Sequence, residues 1–212
     1  MKDVKSKVII VTGGNGLIGR EIVKELKEYE ACVVSADIAF NTYADKNEFR
    51  LDLSDNDSID QLVRFTLDNY GRIDGVFYID QQVAKVMIKQ NFGSIVNFGS
   101  IYGIVGNDFT LYEDYNGTSP IDYCAVKGGI INMTRYQASY LGKYNVRANC
   151  VCPGGIFDHQ RKEFLKNYNH RCPMKRMGNP DDIAPLCLFL VSDGAKYITG
   201  QIIAADGGWT AI

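Results

Sequence analysis

Lys7-Val8-Ile9-Ile10-Val11-Thr12-Gly13-Gly14-Asn15-Gly16-Leu17-Ile18-Gly19 is the stretch on which the reading of the fold turns. Residues 7–11 are a short β-rich run that ends in glycines. Residues 17–29 then show helical periodicity, with Ile18, Ile22, Val23 and Leu26 on one face. A strand, a glycine turn and a helix N-terminus form a seat for a pyrophosphate. Glycines permit the tight turn and let the backbone come close, and the helix start offers free N–H groups and its positive dipole end. Gly13, Asn15, Gly16, Leu17, Ile18 and Gly19 are the candidate contacts. With 21 glycines in the chain, a glycine-rich turn that holds no ligand is the rival reading.

Working outward, the pattern alternates. Residues 31–36 form a second apolar strand closed by Asp37, about where an acidic side chain binds the adenosine ribose hydroxyls. A carboxylate there repels the extra phosphate of NADP, so NAD is favoured over NADP. An ordinary exposed loop aspartate is the alternative. Residues 49–51 make a third strand, and Asp52-Leu53 could cap the adenine. Ser54 is placed as the cap of a helix with Asp57 in its first turn and Ile59, Leu62, Val63 and Leu67 along it. Strands follow at 73–78, 94–98, 146–151 and 201–205. Helices are expected at 83–90, 122–141 (interrupted by Gly128-Gly129) and 181–190. Such alternation implies an α/β fold, a Rossmann-type doubly wound parallel sheet in a single domain spanning 1–212.

Bulk properties narrow the function. A chain of 212 residues can bury one substantial core. A net charge of −2, with no Lys/Arg tract, argues against nucleic acid or an anionic membrane as the partner. The charged start at 1–7 and a strand-length apolar run at 8–11 do not make a targeting or membrane-spanning segment, so the cytoplasm is the expected location. The six cysteines form no CxxC pair and only two histidines are present, so no metal is expected. Free thiols in a reducing compartment are the plain reading.

Tyr123-Cys124-Ala125-Val126-Lys127 sets a phenol and an ammonium at i and i+4 of the long helix, on one face. Ser100 follows the fifth strand, at the carboxyl edge where open α/β sheets bind ligands. The three residue types fit proton transfer. An ammonium and an oxidised nicotinamide favour the phenolate, and a serine hydroxyl can hold the reacting oxygen. A surface tyrosine, a solvated lysine and a capping serine are the alternative.

These motifs, taken in order, resemble the short-chain dehydrogenase/reductase family over most of the chain. The resemblance rests on the 12–19 turn, Asp37, Asp52, Asn97-Phe98-Gly99-Ser100, Tyr123/Lys127, Pro153-Gly154, Gly200-Gln201 and Asp206-Gly207-Gly208. It implies that Tyr123 is the acid/base, that Lys127 binds the nicotinamide ribose, and that Ser100 orients the substrate. It implies too that Pro153, Gly154 and the backbone of Ile156 meet the carboxamide, and that the protein is a homo-oligomer, dimer or tetramer. Even spacing of Gly13, Gly16 and Gly19 is that of the epimerase-like branch, but the chain ends soon after its last strand, without that branch's C-terminal domain.

Ser100 and Tyr123 are about ten residues further apart than in the family pattern. The extra stretch holds Asn107, Asp108, Tyr112, Glu113, Asp114, Tyr115, Asn116, Thr118 and Ser119. It is similar to oxidoreductases of flagellin modification and sialic-acid-like sugar pathways, legionaminic acid biosynthesis above all. A small, hydroxyl-rich, sugar-like substrate is expected, with an inert loop as the rival. By the family's usual length, roughly forty residues are absent near 79–82, including the relay Asn. The expectation is a mobile substrate loop left out of the 212 residues; the rival is a protein truly shortened. Fifteen residues, 79–93, could just close the crossover. The shortening motivates an alternative function, a non-catalytic dinucleotide-binding protein.

Overall fold

The computed structural model describes residues 2–41, 47–77, 81–114 and 117–212. Its strands are β1 (Val8–Thr12), β2 (Cys32–Asp37), β3 (Glu48–Arg50), β4 (Gly75–Phe77), β5 (Gly93–Phe98), β6 (Val146–Pro153) and β7 (Ile202–Ala205). They form one sheet in the order β3-β2-β1-β4-β5-β6-β7, every pair parallel. The order reverses between β1 and β4, which opens a crevice at their carboxyl ends.

Helices α1 (Leu17–Glu28), α2 (Asn56–Tyr70), α3 (Gln81–Gln90), α4 (Ile121–Leu141), α5 (Lys162–Arg171) and α6 (Pro180–Val191) cover the sheet and its edge. The strand period of two explains how one apolar run serves two cores. Ile9 and Val11 face α1 and α6 in a cluster with Ile22, Leu26, Ile183 and Leu188. Ile10 faces the opposite layer with Phe49, Leu62, Met87 and Leu141.

Strands β4 and β5 are neighbours in the sheet, with α3 between them in the chain. Val83 and Met87, four residues apart on α3, are buried, and β4 and β5 pair in register with Gly75 opposite Ser94. Tyr78, at the end of the expected fourth strand, and half of the 79–82 junction (Ile79 and Asp80) lie outside the described residues.

Three local expectations change. Asp55, not Ser54, caps α2, because its side chain accepts the Asp57 N–H while Ser54 donates to Asp52. Gly128-Gly129 does not interrupt α4, whose packing on β6 outweighs about 1 kcal/mol of helix propensity per glycine. Helix α5 has no counterpart among the expected elements. Its segment is mostly charged or polar, with one fully buried side chain, Tyr168, so its periodic signal is weak.

Candidate active site

The glycine turn is built at the carboxyl end of β1. Gly13 has φ +67, a left-handed conformation that strains any residue with a Cβ. Gly16 N–H donates to Gly13 O at 2.9 Å and closes the turn. A Cβ at Gly19 would stand 2.1 Å from Gly13 O, so α1 can leave the turn only with glycine there. The first N–H groups of α1 have no intrahelical acceptor and point back to the turn.

Asp37 reaches this turn from the end of β2. Its Oδ2 accepts the Asn15 N–H at 3.0 Å and its Oδ1 the Ala39 N–H at 2.9 Å. Each carboxylate oxygen keeps a lone pair for a ligand hydroxyl. Asp52 is held in the turn before α2. Its Oδ1 accepts from Ser54 N at 2.9 Å and Ser54 Oγ at 2.7 Å, and these bonds hold its carboxyl below the usual range. Neither aspartate forms part of the cavity wall, whereas Leu53, 47% exposed, does.

Ser100, Tyr123 and Lys127 meet on the other side of the crevice. Ser100 is buried at the end of β5. Its Oγ accepts the Tyr102 N–H at 3.2 Å, and its own hydrogen has no acceptor among the described residues. Tyr123, in the first turn of α4, is 43% exposed into the cavity it helps to line. Lys127 donates from Nζ to Phe98 O at 3.0 Å, and the same ammonium stands 5.6 Å from the centre of the Tyr123 ring. Gly154 N–H donates to Ala205 O at 3.0 Å, and Ile156 bridges to Gly178, its carbonyl taken by Gln160. The Ile156 N–H has no acceptor among the described residues.

Burial holds Lys127 below its ordinary value of 10.5, while the Cys150 and Cys152 sulfurs pull the other way. In the window below 10.5 the unfolded chain keeps a proton that the folded chain has released, so stability rises with pH there. Lys127→Met removes that dependence. Its melting temperature should exceed that of the wild type near neutrality, with the gap narrowing as pH approaches 10.5. Melting curves against pH check this; a gap that widens contradicts it.

The glycine turn, Ser100, Tyr123, Lys127 and the turn after β6 line one cavity of about 800 Å³. Tyr102, Tyr112, Phe164 and Tyr168 add aromatic rings to its wall. Phe164 and Tyr168 come from α5, which the sequence pattern had not shown. The stretch between Ser100 and Tyr123 is docked to α5. Asn167 Nδ2 donates to Asp114 Oδ2 at 3.1 Å, Arg171 pairs with Asp108 at 3.4 Å, and the Tyr112 and Phe164 rings lie 5.7 Å apart. Asn107 Oδ1 accepts from the Cys124 thiol at 3.0 Å, and Thr118, Ser119 and Pro120 line the cavity. Tyr115 and Asn116 lie outside the described residues. Among the described residues no helix is long and apolar enough to cross a membrane.

Comparison with known proteins agrees with this geometry. Residues 7–78 match the family model described as short chain dehydrogenase, and residues 74–210 the one described as Enoyl-(Acyl carrier protein) reductase. A post-translational flagellin modification protein A of Campylobacter coli is 28% identical over 253 residues, covering 97% of this chain and 99% of its own. A 7α-hydroxysteroid dehydrogenase of Bacteroides fragilis is 31% identical, covering 99% and 96%. The crystal structure of a short chain dehydrogenase from Leptospira borgpetersenii with bound NAD+ superposes with a TM-score of 0.89 at 29% identity, covering 98% of this chain and 94% of that one. With two family models tiling the chain and a relative above 30% identity along its length, this chain belongs to the short-chain dehydrogenase/reductase family of NAD(P)-binding oxidoreductases.

Proposed function

We propose that the chain is an NAD-dependent oxidoreductase acting on a hydroxyl or ketone of a small polar, sugar-like substrate. The observation that carries this is a free Ser100 O–H, the Tyr123 phenol and the anchored Lys127 ammonium around one cavity that continues to the glycine turn. The residues fit the cofactor: N–H groups of α1 for its pyrophosphate, Asp37 for its ribose, Lys127 for the second ribose, and the Ile156 N–H for the carboxamide. When bound, the nicotinamide ring takes up or supplies the hydride. In the oxidation direction, Ser100 donates to the reacting oxygen and Tyr123, acting as the phenolate, takes the substrate's proton. Lys127 keeps a positive charge beside the phenol and leaves two of its three N–H bonds for the ribose hydroxyls.

The substrate class rests on the aromatic rings in the wall, whose faces suit the C–H face of a sugar, and on the similarity to a protein named for post-translational flagellin modification. We expect a homo-oligomer, dimer or tetramer, in the cytoplasm; the buried free thiols Cys150, Cys152, Cys172 and Cys187 fit a reducing compartment. The test is turnover with NAD+ over a panel of sugars, sugar nucleotides and cyclic alcohols, the last including steroids. Activity confined to apolar alcohols would remove the sugar reading and leave the redox one.

The preference for NAD rests on Asp37, since a carboxylate about 4 Å from a phosphate repels it by about 1–2 kcal/mol in a partly solvated site. Asp37→Ala should therefore raise the NADP+ to NAD+ ratio of kcat/KM by about fivefold to thirtyfold. A wild type that already uses both equally would sink the assignment.

A second reading, a dinucleotide-binding protein without catalysis, draws on the short connection between β4 and β5. In the alignment with the Campylobacter protein, 97% of 212 residues is about 206, against 253 aligned, so about 47 positions have no counterpart here. The two family models overlap at residues 74–78, which include β4. Both facts support a shortening at that junction. NADH binding without turnover on the panel favours this reading, and robust turnover by the 212-residue chain removes it.

A further inference from the structure

The aromatic wall contains a polar group that the proposed reaction does not use. Tyr168, on α5, is 2% exposed. Its ring stacks on Trp209 with centroids 4.7 Å apart and meets Phe164 at 6.0 Å, so its position is set by packing. The hydroxyl oxygen accepts the Gly155 N–H at 2.7 Å. The hydroxyl hydrogen has no acceptor among the described residues. Asp206, whose charge acts on this phenol, has its carboxylate engaged by Gly208 N, Thr210 N and Thr210 Oγ. Burial pushes the Tyr168 phenol up to about 12, so it stays protonated through the neutral range. A buried hydroxyl with a spare hydrogen is unusual, and a ligand oxygen would complete it.

Among the described residues, the wall of the cavity that Tyr168 shares with Ser100 and Tyr123 has one formally charged side chain, Lys127. Among them, no other side chain is placed to pair with a carboxylate on a substrate, and the lysine already donates to Phe98 O. Tyr102, Tyr112 and Phe164 present aromatic rings instead. The wall therefore suits an uncharged ring, oriented by hydrogen bonds rather than by ion pairs.

We propose that Tyr168 is the specificity-determining donor of this site, binding a second oxygen of a neutral ring substrate whose first oxygen lies at Ser100 and Tyr123. The substrate class is then a neutral cyclic polyol or hydroxyketone. This rests on the oxidoreductase reading above, and the test separates the two.

The probes are cyclohexanol and the 1,2-, 1,3- and 1,4-cyclohexanediols, used with wild type, Tyr168→Phe and Tyr123→Phe. Phenylalanine keeps the stack on Trp209. The lost acceptor for Gly155 N–H affects all probes alike, so the ratio between probes isolates the donor. In Tyr168→Phe the kcat/KM of the preferred diol relative to cyclohexanol should fall by about tenfold or more. Binding gives a second readout that needs no turnover. Trp209 is the only tryptophan in the chain and touches Tyr168, so its fluorescence can report probe binding to the NADH-saturated protein. A diol preference in binding that Tyr168→Phe abolishes supports the proposal even if nothing is turned over, and the redox reading then fails alone. Tyr123-dependent turnover with the diol preference intact in Tyr168→Phe overturns the proposal and leaves the redox reading standing. Absence of any diol preference in the wild type, by either readout, overturns it as well.

Discussion

Tyr123→Phe is expected to lower kcat by about 10²–10⁴-fold, the range of a positioned general acid or base. NADH affinity should stay within about twofold, because the ring and its contact with the Lys127 ammonium remain. The phenol hydroxyl makes no hydrogen bond to another described residue, so its removal leaves no buried partner unsatisfied and the fold should be unchanged. Steady-state kinetics beside a fluorescence titration with NADH separate the two effects. Full activity in this variant would end the assignment of Tyr123. Equal loss of binding and turnover would mean a structural role instead.

Gly19→Ala is expected to weaken cofactor binding by about 100-fold or more and to destabilise the fold by about 1–3 kcal/mol, roughly 3–10 °C in melting temperature. The added Cβ meets backbone at 2.1 Å, the carbonyl of Gly13, and no flexible side chain can yield there. Either α1 moves off the turn or the turn opens, and both displace the N–H groups that hold a pyrophosphate. Gly129→Ala is the matched control. That glycine lies inside α4 with nothing near its would-be Cβ, so alanine should raise stability by about 0.5–1 kcal/mol and leave NADH affinity unchanged. Calorimetry on both variants checks the contrast. Normal cofactor binding by Gly19→Ala would show that the close packing of α1 on the turn is not what seats the ligand.

These two positions differ from Asp37 and Tyr168 in how they could be recognised. Gly19 and Tyr123 sit in contiguous patterns, a βα turn and an i, i+4 pair, whose geometry follows from the backbone alone. Asp37 was legible as a strand-end acid, but its grip on the Asn15 N–H was not, since that bond joins β2 to a turn 22 residues away. Asp52 was legible by its position in the chain, and its carboxylate accepts locally from Ser54, two residues on. Leu53 beside it supplies the wall.

The stretch between Ser100 and Tyr123 shows the same limit. Its composition marked it as polar and aromatic, which favoured a substrate-side wall with an inert loop as the rival. Asn167, Arg171 and Phe164 hold the stretch against α5 beside the cavity, and those contacts were not legible in it. None of the three has a local signal, since α5 buries only Tyr168 and so lacks the apolar stripe by which a helix is recognised.

The alternation of strands and helices, the parallel doubly wound sheet, the glycine turn after β1 and the Tyr123/Lys127 pair were determined by the sequence by itself. Each depends on periodicity or on neighbours within a few residues, which backbone geometry converts directly into shape. Tertiary structure alone decided which side chains complete the cavity: the Tyr168–Trp209 stack, the Gly155 bond to Tyr168, and the docking of residues 107–114 on α5. Those contacts join segments distant in the chain, and their partners are selected by packing and hydrogen-bond satisfaction rather than by any local pattern.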